Sequence, residues 1–386
     1  MENLRQMFKN NLRQFGMLII LVSIMLIFEI LSEGVLLRPL NVTNLILQNS
    51  YILVLAVGML LVIVAFHIDL SVGSVAAVIS AASAILIVTY KMNFVLAIII
   101  CLFLGAVIGA WQGWWISYIK IPAFIVTLGG MLIFRGLTMG SLGGMTIGPY
   151  PEGFQKISTG FIPDFFGSKN IHITTLLIGV IFSLIYVIYE IYKRKTHKKY
   201  SFEVIAARYF VAKIIFILIA INAFSYSLAA YKGIPNVLVL LFILIAVYTF
   251  ITSKTVIGRH IYALGGNEKA AKLSGVKTQQ IVFWVFVNAG VMSALSGLVF
   301  AARLNAATPK AGVNFELDAI AACFIGGAST QGGIGTIIGA IIGGLVMGVM
   351  NNGMSLMGVG IDWQQSIKGL VLLLAVAFDT YTKNKS

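Results

Sequence analysis

Charge is the first property that this sequence lacks. Only 10% of its 386 residues are charged, whereas 59% are hydrophobic, and the mean hydropathy is +0.97. A soluble domain carries about one quarter charged residues, because its surface must face water. A chain with so little charge cannot cover a water-facing surface. A soluble fold is therefore excluded, and a surface that faces lipid is indicated.

Cysteines and catalytic motifs are scarce as well. Cys101 and Cys323, the only cysteines, both lie in apolar segments, so no disulfide framework is indicated. The sequence contains no zinc-type histidine spacing, no Gly-x-Ser-x-Gly elbow and no P-loop. We therefore expect no enzyme activity, no metal and no cofactor bound by this chain. Acidic residues within the apolar segments are too few for an obvious proton relay.

What the sequence does contain is a series of apolar runs: 17–32, 45–66, 72–89, 94–110, 122–139, 172–191, 209–228, 235–252, 281–301, 317–328, 334–350 and 366–380. Several are shorter than the roughly 20 residues that a straight span needs. Short runs indicate helices that are broken or re-entrant and buried among other helices. The sequence predicts an all-α polytopic membrane protein with about ten to twelve membrane segments, some of them broken or re-entrant.

Basic residues predict the orientation of these segments. If the N-terminus is cytoplasmic and every run crosses, eighteen of the 27 Lys and Arg residues lie inside and seven lie outside. This bias follows the positive-inside rule and predicts that both termini are cytoplasmic. The net charge of +14 is thus a topology signal, and nucleic acid is not an expected partner. We predict one transmembrane domain, 1–386, with an ordered, largely non-helical extracytoplasmic loop at 140–171 and a cytoplasmic loop at 253–280.

A polar stretch lies within the cytoplasmic loop. It reads GGNEKAAKLSGV, residues 265–276, and its two leading glycines should break the chain. Asn267 is a good N-cap, and Glu268 falls in the first turn, where a carboxylate interacts favourably with the helix dipole. Gly275 is a suitable C-terminal stop. The stretch predicts about two turns of cytoplasmic helix.

The faces of this short helix allow two interpretations. Ala270, Ala271 and Ser274 make one face small, and Leu273 supplies one apolar knob. Such a helix could dock into a groove on another protein. Alternatively, it merely connects two spans at the surface.

Two polar segments interrupt the apolar runs. In the first, residues 65–78, Asp69 and Ser71 could cap the next helix, line the path of a polar solute or, least favoured, relay protons. His67 in the same segment is interpreted as a hydrogen-bonded packing residue. The second segment, 325–335, is rich in glycine and contains Ser329 and Gln331. Transporters often place interrupted helices in corresponding positions with the path between them, so we include Asp69, Ser71, Ser329 and Gln331 as candidate path residues.

The polar stretch carries a resemblance to a known family. GRHIYALGGNEKAAKLSGV, 258–276, resembles the cytoplasmic coupling loop in permease subunits of bacterial ABC sugar importers of the ribose, xylose and galactose type. HIDLSVGSV, IPAFIVTLGGMLIFRGLTMG and IGGASTQGGIGTIIGAIIGG extend this resemblance over essentially the whole chain. The loop at 140–171 and the segment around 190–235 look most like the multiple-monosaccharide or xylose permeases. The family's Glu-Ala-Ala pattern is altered here, because Lys269 stands in place of its glutamate.

The resemblance implies a transport subunit in the bacterial inner membrane that brings in a monosaccharide. Its expected partners are an ABC ATPase subunit that binds ATP, an extracytoplasmic sugar-binding protein, a second permease copy and the lipid bilayer. The alternatives are a secondary carrier or channel for a small polar solute, or an ABC permease for nucleosides or branched-chain amino acids. The residues expected at the ATPase contact are Gly258, Gly265, Gly266, Asn267, Glu268, Ala270, Ala271, Leu273 and Gly275.

Overall fold

The computed structural model describes residues 2–167, 171–200 and 206–384 of the chain. Its described part forms these α-helices: α1 Glu2–Leu31, α2 Pro39–Val64, α3 Val72–Ala84, α4 Phe94–Ser117, α5 Ala123–Leu142, α6 Glu152–Thr159, α7 Ile173–Lys199, α8 Ala207–Ala229, α9 Asn236–Lys254, α10 Val256–Gly266, α11 Glu268–Leu273, α12 Thr278–Leu304, α13 Phe315–Ile325, α14 Ile337–Leu356 and α15 Ile361–Asn384. A π-helical turn, Ile85–Thr89, extends α3. Strand pairing within these ranges is limited to two isolated bridges.

The predicted all-α polytopic membrane fold is confirmed. Across the described residues, nine helical stretches are long and apolar enough to cross a membrane: α2, α3 with its π-helical turn, α4, α5, α7, α8, α9, α12 and α14. The apolar part of α1, Gly16–Leu31, is shorter. Together with α13 and α15, these elements account for every apolar run in the sequence.

The chain folds as two compact units. The smaller unit comprises Met1–Leu12, Leu37–Asn44 and Phe161–Pro235, and α7 and α8 pack against each other within it. Polar pairs join these two helices: Lys213 Nζ lies 2.8 Å from Glu190 Oε1, and Asn222 donates to the Ser183 hydroxyl at 2.9 Å. The remaining segments form the larger unit, which contains both interrupted helices and the polar stretch.

Close contact between α12 and α4 organises the larger unit. A Cβ on Gly109 would overlap the Phe286 carbonyl oxygen, and a Cβ on Gly290 would overlap that of Gly105. Small residues of this kind let the backbones of membrane helices approach closely, which supplies van der Waals contact where lipid gives no hydrophobic drive between helices.

Both predicted interruptions are present as breaks in helices. The first break, residues 65–71, separates α2 from α3, and the second break, residues 326–336, separates α13 from α14. At 11 residues, α13 is about 16 Å long and covers only about half of a hydrocarbon core. The described chain therefore contains a half-length helix among the longer spans.

The described part of the loop at 140–171, predicted to be ordered and largely non-helical, contains one short helix. Helix α5 continues to Leu142, and α6 forms after Pro151, with Phe154 completely buried. The Phe154 ring stacks on Tyr150 at 4.4 Å between centroids, which anchors α6. Helix α6 was not predicted from the sequence; its Phe154 belongs to a buried cluster that includes residues of α3, α4 and α12.

Candidate functional site

The polar stretch 265–276 forms a capped helix. The Asn267 side chain accepts a hydrogen bond from the Ala270 N–H at 3.0 Å, so the predicted N-cap is confirmed. At the other end, Gly275 has a φ of +85° and donates to the Lys272 carbonyl at 3.1 Å, while the Val276 N–H donates to Ala271 at 3.0 Å. This pair of bonds is a Schellman motif, which favours glycine at the left-handed position.

The two leading glycines do not break the chain as predicted. Gly265 and Gly266 are instead the last two residues of α10. The break falls at Asn267, whose extended backbone (φ −162°, ψ 102°) ends α10 and begins α11. One residue serves both helices because its side chain satisfies a backbone N–H of α11 while its own N–H still bonds to Ala263 in α10.

Residues expected to contact an ATPase divide by exposure. Exposed are Gly266, Asn267, Glu268, Ala270, Leu273 and Gly275, whereas Gly258, Gly265 and Ala271 are buried. Leu273 is 90% exposed, although it is a large apolar side chain. Ala271 is only 5% exposed and so faces the protein's own interior. The exposed part of α11 thus centres on Leu273 rather than on a continuous row of alanines.

The end of α10 contacts the end of α2 and the second break. A Cβ on Gly265 would overlap the Val64 carbonyl oxygen, and that same oxygen accepts a hydrogen bond from the Gly333 N–H at 2.8 Å. A Cβ on Gly333 would lie 2.8 Å from the Gly266 Cα. In addition, the Tyr262 hydroxyl donates to the Gly335 carbonyl at 2.6 Å. We call this contact between α10, the end of α2 and the second break the glycine junction.

Asp69 organises the first break. Its Oδ1 accepts hydrogen bonds from the Ser71 N–H at 2.8 Å and from the Ser71 hydroxyl at 2.6 Å, and Ser71 in turn accepts from the Gln112 amide at 2.8 Å. All three side chains are buried. Ser71 occupies the N-cap position of α3 but makes no capping bond with its side chain. Of the two predicted capping residues, it is Asp69 that holds the backbone at the start of α3.

Ser329 and Gln331 of the second break have different surroundings. Ser329 is buried, and its hydroxyl accepts a hydrogen bond from the Gln331 N–H at 3.1 Å. The Gln331 side chain is exposed. The structure brings the two breaks together at the glycine junction through the backbone, whereas the Asp69 and Ser71 side chains bond to each other and to Gln112 of α4.

Lys120 and His67 also lie in this region. Lys120, in the turn between α4 and α5, lies 3.9 Å from Glu268 of α11, and both side chains are more than half exposed. Such a surface ion pair contributes at most about 1 kcal/mol. The His67 ring lies 5.8 Å from the ring of Phe286. This contact agrees with the packing part of the prediction for His67, whereas the predicted hydrogen bond of its ring stays a prediction.

Sequence reasoning missed Tyr262 and the carbonyl of Val64, the two groups that link α10 to the breaks. No local pattern could have identified them, because each acts on residues at least 70 positions away. Within the ranges that the structure describes, no three His, Cys, Asp or Glu side chains are grouped so as to hold a metal ion.

Comparison with known proteins adds to this geometry. A family model described as "Branched-chain amino acid transport system / permease component" matches residues 41–376. The chain is 40% identical to the xylose transport system permease protein XylH of Haemophilus influenzae, over 97% of this chain and 98% of that protein. Identity to XylH of Escherichia coli strain K12 is 39%, over 97% and 94% of the two chains. Identity to the ribose import permease protein RbsC of Haemophilus influenzae is 35%, over 89% and 86%. No solved structure matches the chain.

Proposed function

The chain belongs to the branched-chain amino acid transport system permease family, and on that premise we propose that it is the membrane-spanning subunit of an ATP-driven importer for a monosaccharide. Separate ATPase subunits bind and hydrolyse ATP, an extracytoplasmic binding protein delivers the sugar, and two permease copies form the path. The relatives support a sugar in preference to the amino acids of the family's description, because they are named for xylose and ribose and align over nearly their full length.

Exposure of Leu273 is the observation that supports ATPase coupling. A large apolar side chain that is 90% exposed at the end of a capped six-residue helix gains little within its own chain. The same side chain would be well placed as an anchor in a groove of a partner protein. A connecting helix has no need for such a residue.

The glycine junction supplies the route from this helix into the membrane. Asn267 joins α11 directly to α10, and the last turn of α10 packs through Gly265 against the last residue of α2 and against the second break. Packed backbone contacts transmit displacement because protein interiors are dense and yield little. If closure of the ATPase subunits shifted α11, the C-terminal end of α2 and the second break would therefore move together.

Leu273→Asp tests the coupling. In the permease reconstituted with its ATPase, we expect about thirtyfold weaker ATPase binding, the effect of losing an anchor worth about 2 kcal/mol. Uptake should fall in parallel, while thermal stability stays unchanged because Leu273 makes no buried contact. The matched control, Leu273→Met, keeps an apolar knob and should retain binding. Wild-type ATPase affinity in Leu273→Asp would reject the docking role of α11.

Leu273 is a sharper probe than its neighbours. Ala271→Trp would place a large side chain at a buried position, and Gly275→Glu would force a residue with a Cβ into a left-handed backbone. Both changes would disturb α11 itself, so their loss of uptake would not isolate docking.

A secondary carrier is the competing function, and it makes an opposite prediction. A carrier would take up solute in proteoliposomes that contain the permease alone and an ion gradient. We expect no uptake under these conditions, and uptake only when ATPase, ATP and binding protein are present. Gradient-driven uptake by the permease alone would replace the importer proposal.

A further inference from the structure

A cavity of about 390 Å³ lies in the larger unit, away from α11 and the glycine junction. It is lined by the first two turns of α13, by α15 from Ile361 to Leu372, by Tyr51 of α2 and by Met347 of α14. Its polar lining residues are Tyr51, Asn314, Asp318, Gln364, Gln365 and Lys368. We call it the ion-pair cavity.

The ion-pair cavity lies at the level of the middle of the membrane helices. Tyr51 is midway along α2, about 18 Å from Pro39 and about 20 Å from Val64 at 1.5 Å per residue. The Tyr51 ring stacks on Phe315, the first residue of the half-length helix α13, at 4.0 Å between centroids. Interrupted helices that begin at this depth are a common feature of solute sites in transporters.

The wall of the cavity contains a buried ion pair. Lys368 Nζ lies 3.1 Å from Asp318 Oδ1 and 3.4 Å from Oδ2, and the Asp318 side chain is only 6% exposed. Removing two charges from water costs about as much as their attraction returns, so such a pair contributes little to stability. Ionisable groups within membrane segments are costly, and they usually mark the route of a solute.

The chemistry of the lining suits an uncharged molecule with many hydroxyls. Asp318 accepts hydrogen bonds, Lys368 donates them, and amide and phenol groups can do both. Because the two charges neutralise each other, the wall has no net charge that would select an ion. Leu317 and Met347 add apolar surface for the C–H groups of a sugar ring.

The Tyr51 hydroxyl is available to such a molecule. Among the described residues it has no hydrogen-bond partner, although its backbone carbonyl accepts a bond from Ser296. The Tyr51 side chain is only partly buried, so its hydroxyl can reach a molecule in the cavity. The size of the cavity lies at the lower end of the range for small-molecule sites, which suits one sugar ring.

We propose that the ion-pair cavity is a low-affinity binding site for a neutral monosaccharide within the permease, with Asp318, Lys368 and Tyr51 contacting the sugar hydroxyls. The inference rests on the proposed function, because it takes a monosaccharide as the transported solute. It adds a site in this chain, distinct from the external binding protein.

Cysteine protection tests the site directly. Both native cysteines are completely buried, so Gln365→Cys introduces an accessible thiol at the cavity wall. In the purified permease in lipid nanodiscs, D-xylose or D-ribose at up to about 100 mM, enough to saturate a millimolar site, should slow modification by a thiol reagent about fivefold or more. The matched control is Ser366→Cys, an exposed neighbour outside the cavity, and its modification should not change.

Two further variants distinguish loss of the sugar site from loss of the folded protein. Replacing both members of the ion pair, Asp318→Asn with Lys368→Gln, leaves no uncompensated charge and should abolish protection by sugar. Tyr51→Phe removes one hydroxyl and should weaken protection about fivefold, as expected for one hydrogen bond. Each variant is first checked for an unchanged melting temperature and elution profile, and only variants that pass are scored.

Several outcomes would overturn the proposal. These are no protection of Gln365→Cys by either sugar, equal protection of Ser366→Cys, full protection in the double ion-pair variant, or protection by L-leucine but not by pentoses. Because this assay contains no ATPase and no binding protein, its failure leaves the ATPase coupling untouched. Conversely, if the Leu273→Asp experiment rejected the docking of α11 to an ATPase, protection of Gln365→Cys by sugar would still support the binding site.

Discussion

Gly265 and Gly266 are adjacent and identical in type, but their surroundings in the fold differ. A Cβ on Gly265 would overlap the Val64 carbonyl oxygen and lie 2.7 Å from the Gly333 amide nitrogen. A Cβ on Gly266 would have no heavy atom within 4 Å, apart from its own chain neighbours and helix backbone. From sequence alone both residues predict the same break, because the pattern records residue type and not surroundings.

We predict that Gly265→Ala destabilises the protein by about 1–3 kcal/mol, the usual cost of overpacking, and reduces uptake by separating α10 from the breaks. Gly266→Ala should be neutral or stabilising by up to about 1 kcal/mol, because alanine favours helix more than glycine does. Thermal unfolding of the two purified variants and uptake in cells provide the comparison. Equal effects of the two substitutions would contradict the tight contact at the glycine junction.

Helix α11 is the element that local sequence described best. Its cap at Asn267 and its stop at Gly275 depend on hydrogen bonds within four or five residues, and both were predicted correctly. The burial of Ala271 was not predicted, because it depends on contacts with residues outside α11. Local physics thus located the helix, and packing selected Leu273 as its exposed feature.

The first break gives a prediction at the scale of an element. Asp69→Ala removes the acceptor of two hydrogen bonds from Ser71, and a buried donor left without a partner costs about 1–3 kcal/mol. We expect a loss of at least about 1.5 kcal/mol in unfolding free energy. The control is Thr330→Ala at an exposed position of the second break, where the change should stay within about 0.5 kcal/mol. Similar stability of both variants would mean that Asp69 does not hold the start of α3.

At the scale of the whole molecule, the distribution of basic residues predicts which end of the helices faces the cytoplasm. The polar stretch with Lys269 is predicted inside, and the loop at 140–171 with Lys156 is predicted outside. We therefore expect a membrane-impermeant maleimide to label Lys156→Cys in intact spheroplasts and Lys269→Cys only in inverted vesicles. The native protein is the control that should not be labelled, because its two cysteines are buried. Labelling of both variants from one side would contradict the predicted topology.

Composition and hydropathy by themselves determined the class of this protein. Low charge excludes a water-facing surface, and runs of apolar residues can satisfy their backbone groups in lipid only as helices. The same local rules located the breaks and the caps of α11, since each depends on neighbours in the chain. Each of these features depends on residues that lie close together in the chain, so it can be predicted from the sequence.

Tertiary structure alone decided where those segments meet. The contact of Gly265 with Val64, the bond from Tyr262 to Gly335 and the pairing of Asp318 with Lys368 join residues that are 50 or more positions apart. No periodicity or capping rule encodes such pairs, because close packing depends on the shapes of all the helices at once. The glycine junction and the ion-pair cavity therefore became visible only in the folded chain.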